Sequence, residues 1–387
     1  MHYALNAQLL SPTAGYRQAG VSGYIENLLK HLPAAGAPDD RWTVYAPPGV
    51  TRDAIGANGQ VALRTARLPT TKPPVRIWWE QTVAPAVLLR DRPDVVLCPL
   101  NVMPLATSCP AVVTIHDLAF LRFRMHRPAK RLYLAALTRL SARRARHIIA
   151  VSEFTRSEVL QLLAVPPERV TAIPNGRDER YRPQDSDAVE RFRAARELPP
   201  RFLLSVATLE PRKNITTLVE AYARVRHRLN MQLLVAGGKG WLYDAIFERV
   251  RQLGLEQQVR FLGFVPRGDL PLLYAAATAF VYPSLYEGFG FPPLEALQTG
   301  TPTVVSDAGV LREVVGDAAL VAPAQDAAAL AAQLVRITCD DALRAELRCR
   351  GFERARQFSW QRTASQTLDV LRTVGEDDPR MNANGRE

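Results

Sequence analysis

Lysine is nearly missing from this chain. Only Lys30, Lys72, Lys130, Lys213 and Lys239 occur, against a Lys+Arg total of 49 in 387 residues, so the net charge of +11 is carried almost entirely by arginine. A basic balance admits nucleic acid, anionic lipid or phosphorylated substrates as partners without choosing among them. Cysteine is also sparse. Cys98, Cys109, Cys339 and Cys349 show no metal-ligand spacing, which excludes a disulfide framework and fits a reducing cytoplasm. No apolar run has the length of a membrane span, and no charged-then-apolar leader opens the chain. Internal repeats and low-complexity runs are absent. What remains, with 47% hydrophobic and 22% charged residues, is an ordinary globular composition, long enough for two domains with a core each.

Strand and helix patterns alternate along the whole length. Apolar stretches at His2 to Leu10, Val95 to Pro99, Ala111 to Ile115, His147 to Val151 and Val170 to Ile173 read as strands of a first block. The turn Asn175-Gly176 follows, and then the polar stretch Arg177 to Arg201, read as a linker with some helical content. A second block runs through Phe202 to Ala207, Gln232 to Ala236, Val259 to Leu262, Ala279 to Tyr282, Thr303 to Ser306 and Ala319 to Val321. Alternation in two blocks predicts two doubly wound parallel sheets. Ser359 is the expected N-cap of a last amphipathic helix, and Gly375 to Glu387 reads as a disordered tail.

The most informative segment is Glu287-Gly288-Phe289-Gly290-Phe291-Pro292-Pro293-Leu294-Glu295. It follows a buried strand. Its glycines allow a tight turn with exposed backbone N–H groups, and its prolines suit a helix's first turn. Two carboxylates thus stand at a strand's carboxyl end and in the opening turn of the next helix, where open α/β sheets place ligands. An ordinary glycine turn with a dipole-favoured acid is the competing reading. Arg212 and Lys213 follow the strand Phe202 to Ala207 and precede the helix Ile215 to Val225, so cations and a helix N-terminus converge where a diphosphate could be neutralised. Solvated surface cations are the plainer alternative. Ala236-Gly237-Gly238-Lys239-Gly240 lets backbone approach a ligand and lacks Walker spacing.

The paired glutamates resemble those of the retaining glycosyltransferases of family 4, which have the GT-B architecture: α/β, two facing Rossmann-like domains with parallel sheets and a cleft between them. The resemblance runs from the first strand to about Leu371. It implies an acceptor-side domain at 1–180, a nucleotide-sugar-binding domain at 181–358 and a helix at 359–374 crossing back to the first domain, with 375–387 as the tail. Glu287 would hold sugar hydroxyls and Glu295 the ribose, while Arg212 and Lys213 would bind the donor phosphates. Gly237, Gly288, Phe289 and Gly290 would line the donor pocket. Phe261-Leu262-Gly263-Phe264-Val265-Pro266 resembles the base-contacting segment, with Gly263 and Phe264 acting through backbone and the phenylalanines otherwise expected in the core. Gly20-Val21-Ser22-Gly23-Tyr24 resembles the family's glycine loop before a helix. It departs from the pattern at Gly23, where many relatives carry a cation. Thr114-Ile115-His116-Asp117 looks like the family's His-Asp strand end, which places His116 at the donor sugar; Asp117 is equally a candidate cap.

The implied reaction moves a hexose from a nucleotide-diphosphate sugar to a glycan or polyprenyl-linked acceptor hydroxyl, with no cofactor and no metal. Asp185-Ser186-Asp187 matches a metal-binding spacing but lies in the polar linker and is read as coincidence. The motifs look closest to mannosyltransferases that use GDP-mannose, with UDP-glucose or UDP-N-acetylglucosamine as the alternative donor. From Leu118 to Ser152 there is no acid, while Arg122, Arg124, Arg127, Lys130, Arg131, Arg139, Arg143, Arg144 and Arg146 alternate with leucines. This suggests an anionic membrane surface as a partner and a place at the cytoplasmic face, Trp78 and Trp79 being candidate contacts. A solvated arginine face explains the same pattern. A nucleic-acid-binding protein, a sugar-nucleotide epimerase and a sugar-nucleotide binder without turnover are the remaining readings. The first lacks a recognition module, and nucleic acid is not an expected partner.

Overall fold

The computed structural model describes residues 1–11, 20–55, 60–123 and 128–377. The chain forms two compact units, Met1–Gly176 with Ser359–Glu387, and Arg177–Phe358.

In the first unit the strands are β1 (His2–Asn6), β2 (Arg41–Ala46), β3 (Val61–Thr65), β4 (Val95–Cys98), β5 (Ala111–Ile115), β6 (His147–Ala150) and β7 (Val170–Ala172). They form one parallel sheet in the order β3-β2-β1-β4-β5-β6-β7, with Leu5 of β1 opposite Val44 and Leu97. The central strands β4 and β5 are buried at every residue, as expected for a parallel sheet covered on both faces. Helices α1 (Val21–Ala35), α2 (Pro73–Asp91), α3 (Ala119–Arg122), α4 (Pro128–Arg144) and α5 (Glu153–Leu163) connect them. Strand order reverses between β1 and β4, so the ligand crevice of this unit is expected beyond their carboxyl ends.

The second unit comprises α6 (Ser186–Ala195), β8 (Phe202–Val206), α7 (Ile215–Leu229), β9 (Gln232–Ala236), α8 (Asp244–Gln252), β10 (Val259–Gly263), α9 (Leu270–Ala276), β11 (Ala279–Tyr282), α10 (Phe291–Thr299), β12 (Thr303–Ser306), α11 (Gly309–Val315), β13 (Leu320–Ala322), α12 (Ala327–Cys339) and α13 (Asp341–Arg356). Its parallel sheet runs β10-β9-β8-β11-β12-β13 and reverses between β8 and β11.

Helix α14 (Trp360–Glu376) returns to the first unit. Ser359 caps it, its Oγ accepting from the Arg362 backbone N–H at 3.2 Å, and the Thr363 hydroxyl donates to Pro174 O at 2.7 Å. The helix continues through Gly375 and Glu376; the rest of the expected tail from 378 onward lies outside the described residues.

Several boundaries differ from the sequence reading. β1 ends at Asn6 rather than Leu10, because the Leu10 N–H donates to Ala7 O and closes a turn. Strands β2 and β3 were not anticipated. Asp185 is the N-cap of α6, accepting from the Ala188 N–H at 2.9 Å, which accounts for that acid without a metal. Among the described residues no three His, Cys, Asp or Glu side chains gather into a metal-binding group, and no helix is long and apolar enough to cross a membrane.

Candidate functional site

At the switch point of the second unit two charged segments meet. The segment after β8 carries Glu210, Arg212 and Lys213, and the segment after β11 carries Ser284 and Glu287. Backbone hydrogen bonds zip the two together: the Leu285 N–H donates to Arg212 O at 2.8 Å. Asn214 adds a cross-link, its amide donating to Pro283 O at 3.0 Å and to Ala324 O at 2.6 Å.

Within this frame Lys213 Nζ donates to Glu287 Oε1 at 2.6 Å and to Tyr282 Oη at 2.9 Å, and Arg212 Nη1 donates to Glu287 Oε2 at 3.1 Å. The hydroxyls of Ser284 and Tyr282 donate to Glu287 Oε1 at 2.6 and 2.9 Å. Burial alone would raise the Glu287 pKa, but Lys213 and Arg212, with the hydrogen bonds from Lys213 and Ser284, outweigh it and bring it down to about 2. The same burial lowers the Lys213 pKa, against the pull of Glu287. Glu287 is therefore a fixed carboxylate, able to accept hydrogen bonds but unsuited to donating a proton near neutrality. Because its folded pKa is depressed, its contribution to stability is present above about pH 4.5 and is lost as pH falls toward about 2.

The cations are less free than the sequence suggested. Arg212 also donates from Nη2 to Glu210 Oε1 at 2.8 Å, and Glu210 Oε2 accepts from Trp241 Nε1 at 3.2 Å. Two acids and two cations form a neutral buried cluster, so a diphosphate must compete with Glu210 and Glu287 for its donors. Glu210, Tyr282 and Ser284 were not singled out from sequence. Tyr282 reads there as one more apolar strand residue, and nothing local marks its hydroxyl as a partner of Glu287.

Glu295 stands apart from this cluster. It is the fifth residue of α10, just past the first turn rather than in it. Its Oε2 accepts from the Tyr274 hydroxyl at 3.0 Å. Burial pushes its pKa up to about 7; hydrogen bonds from Tyr274 and Tyr181 oppose that, and Asp178 reinforces it. The paired glutamates thus have opposite titration behaviour.

The glycine segments are stitched across three strand ends. The Gly237 N–H donates to Gly263 O at 2.7 Å, and Leu209 N–H to Gly238 O at 2.9 Å. Gly237 has φ +146°, and a Cβ there would lie 1.9 Å from Ala207 O. Gly290 is the N-cap of α10 in the left-handed region, with φ +97°. Gly288 is buried beside Glu287.

The phenylalanines reverse their expected roles. Phe264 is 52% exposed rather than in the core, because Gly263 (φ +67°) turns the chain out of β10 at a register shift with β9. The Phe289 ring is buried against Phe291 and Phe358, at centroid distances of 5.2 and 5.7 Å, so only its backbone is available to a ligand.

In the first unit, His116 follows β5. A carbonyl can only accept, so the 3.0 Å contact to Pro99 O fixes the proton on Nε2 and makes Nδ1 the acceptor of the neutral ring. Burial lowers the His116 pKa, favouring that neutral form. The Tyr24 ring meets it edge-on at 4.8 Å. Asp117 Oδ1 accepts from the Ala119 N–H at 3.0 Å across the turn that leads into α3, whose N-cap is Leu118. Gly20 is the N-cap of α1, with φ +64°, and helix begins at once. Gly23 is therefore a buried helical residue rather than part of a loop before the helix.

Comparison with known proteins follows the same division. Residues 187–354 match glycosyl transferases group 1, and residues 19–181 match Glycosyltransferase Family 4. The O-antigen chain mannosyltransferase B of Escherichia coli is 36% identical over 271 residues, 68% of this chain and 70% of that protein. The serotype-specific mannosyltransferase WbdA of Escherichia coli is 31% identical over 252 residues, 63% of this chain but only 31% of that protein's length. Among solved structures, sucrose-phosphate synthase from Thermosynechococcus elongatus superposes with a TM-score of 0.76 at 22% identity, covering 97% of this chain and all of the other, which supports the fold alone.

Proposed function

The chain belongs to the family 4 glycosyltransferases, and on that basis we propose that it transfers mannose from GDP-mannose to a glycan or lipid-linked acceptor hydroxyl with retention of anomeric configuration. The observation that carries this reading is Glu287, a carboxylate locked in its ionised form by Lys213, Arg212, Ser284 and Tyr282 at the second unit's switch point. The mannosyl choice is supported by the mannosyltransferase relatives.

The chemistry needs no covalent nucleophile. The bond between the sugar's anomeric carbon and the diphosphate oxygen breaks while one forms to the acceptor oxygen on the same face; the acceptor's proton passes to the departing phosphate. Arg212 and Lys213 stabilise the charge growing on that phosphate, and backbone N–H groups of the Gly288–Gly290 turn add fixed dipoles. Glu287 accepts hydrogen bonds from sugar hydroxyls, and Glu295 accepts them from the ribose. His116 accepts through Nδ1 and stays neutral. No metal is required in this scheme.

Titration of the protein with GDP, UDP and ADP without added metal tests the reading. Preference for GDP is expected. A preference for UDP moves the donor to a glucose- or N-acetylglucosamine-type sugar, and failure to bind any of the three sinks the site. The pH dependence is specific. Ionised Glu295 can accept from both hydroxyls of a ribose diol, whereas the protonated carboxyl keeps fewer acceptor sites, so GDP affinity should rise between about pH 6 and about pH 8. A flat profile would remove Glu295 from the ribose.

We also propose contact with an anionic membrane surface. Leu132 (72% exposed), Arg139, Leu140 and Arg143 share the solvent face of α4, while Ala135, Thr138, Ser141 and Ala142 pack inward. Trp78 is exposed, whereas Trp79 is buried in the core. Arg124 and Arg127 lie outside the described residues. Flotation with anionic vesicles at low salt should carry the protein upward, and neutral vesicles should not.

A further inference from the structure

A cavity opens on the flank of the second unit's sheet. Phe192 of α6, Leu262 of β10, Val265 just beyond that strand and Leu273 of α9 are among the residues that enclose about 200 Å3 there. An apolar cavity of about 150 Å3 already holds a benzene ring, so this space is of ligand size. It lies off the donor cluster: β10 is the edge strand, two places from β8, whose following segment carries Arg212 and Lys213. At the usual spacing of neighbouring strands that is roughly 10 Å.

The walls are tied together by polar contacts instead of being packed against one another. Arg193 Nη2 donates to Ala276 O at 3.2 Å, and Arg196 pairs with Asp269, which fixes α6 against α9. Arg260 Nη1 donates to Glu197 O at 2.7 Å and Nη2 to Arg196 O at 3.3 Å, which fixes the C-terminal end of α6 against β10. Protein interiors are normally filled to the density of organic crystals, and apolar walls that face a gap forfeit dispersion contacts. An occupant restores them.

Charge narrows the choice of occupant. Arg196 and Arg260 line the cavity, and no acid does. Arg196 has its counter-charge in Asp269. Arg260 is exposed, and both of its hydrogen bonds go to carbonyls, which accept without cancelling charge. Its remaining N–H groups suit an oxyanion. Phe264, 52% exposed, extends the apolar wall outward.

We propose that this cavity binds a short-chain amphipathic anion, its alkyl chain between Phe192, Leu262, Val265 and Leu273 and its oxyanion head on Arg260. The site is separate from the donor pocket and does not depend on the glycosyltransferase reading.

The test titrates the full chain calorimetrically with octyl phosphate, hexyl phosphate and inorganic phosphate, with and without saturating GDP. Octyl phosphate should bind about tenfold more tightly than hexyl phosphate, the worth of two buried methylenes, and inorganic phosphate more weakly than either. Arg260→Met removes the charge and keeps an apolar stem, whereas Val265→Phe narrows the cavity and keeps the charge. Each should weaken octyl phosphate binding by about tenfold. Saturating GDP should leave octyl phosphate affinity within about twofold. No binding by the wild type, affinity independent of chain length, or affinity unchanged in both variants overturns the proposal, the last two by showing anions held on the arginine-rich surface. Displacement of octyl phosphate by GDP overturns it as well, since the cavity would then be part of the donor pocket. The chain-length comparison uses the wild type, so it decides the matter even if a variant fails to fold.

Discussion

Glu287→Ala is expected to lower kcat by about a hundred- to a thousandfold, the range seen when one preorganised electrostatic contact is removed from an active site. The structure adds a second consequence that the motif did not announce. Glu287 neutralises Lys213 and shares Arg212 with Glu210, and the side chains of both cations are nearly buried, 12% and 13% exposed. Removing it leaves Lys213 with a hydroxyl in place of a counter-charge. Breaking a buried pair from one side costs about 3 kcal/mol. The rate must therefore be measured on protein shown to be folded, by circular dichroism at the assay temperature. Turnover near the wild-type value in folded Glu287→Ala would remove this residue from the site. Lost stability with unchanged turnover would make the cluster structural.

Gly237→Ala is expected to disrupt the second unit, and Gly238→Ala, one residue on, to leave it intact. At Gly237 a Cβ would fall 1.9 Å from Ala207 O and 2.6 Å from Ala207 C, backbone atoms held in place by the Ala207 N–H donating to Ala236 O. The ends of β8 and β9 would have to part, at a cost of about 3 kcal/mol, equivalent to roughly 6–12 °C in Tm for a unit of this size. The segment carrying Arg212 and Lys213 leaves β8 a few residues later, so nucleotide affinity should fall with it. At Gly238 no atom of the described residues other than its chain neighbours lies within 4 Å of the added carbon, and the change should stay within about 0.5 kcal/mol. Equal melting temperatures for the two variants would show that the close approach is not a constraint.

The two carboxylates of one motif show where local reading stops. Sequence placed Glu287 at a strand's carboxyl end and Glu295 in the opening turn of the following helix; Glu287 does follow β11, while Glu295 is in α10 but just past its first turn. Their opposite titration could not be read locally, since Lys213 is 74 residues from Glu287 and Tyr274 is 21 residues from Glu295. The missed strands have a different cause. β3 is half-exposed at the sheet edge, so its residues show no continuous apolar run.

By itself the sequence determined the class of structure. Hydrophobic runs of strand length, spaced by helical patterns and ended by glycine and proline, admit little besides two parallel α/β sheets, because periodicity and turn chemistry act over a few residues. It also placed His116, Arg212, Lys213 and Glu287 just beyond the ends of β5, β8 and β11, although it overran the end of β1 and missed β2 and β3. Tertiary structure decided which of those strand ends meet and what charge each group carries there. Side chains far apart in sequence are brought within hydrogen-bonding distance only by the strand order, and burial then sets their protonation.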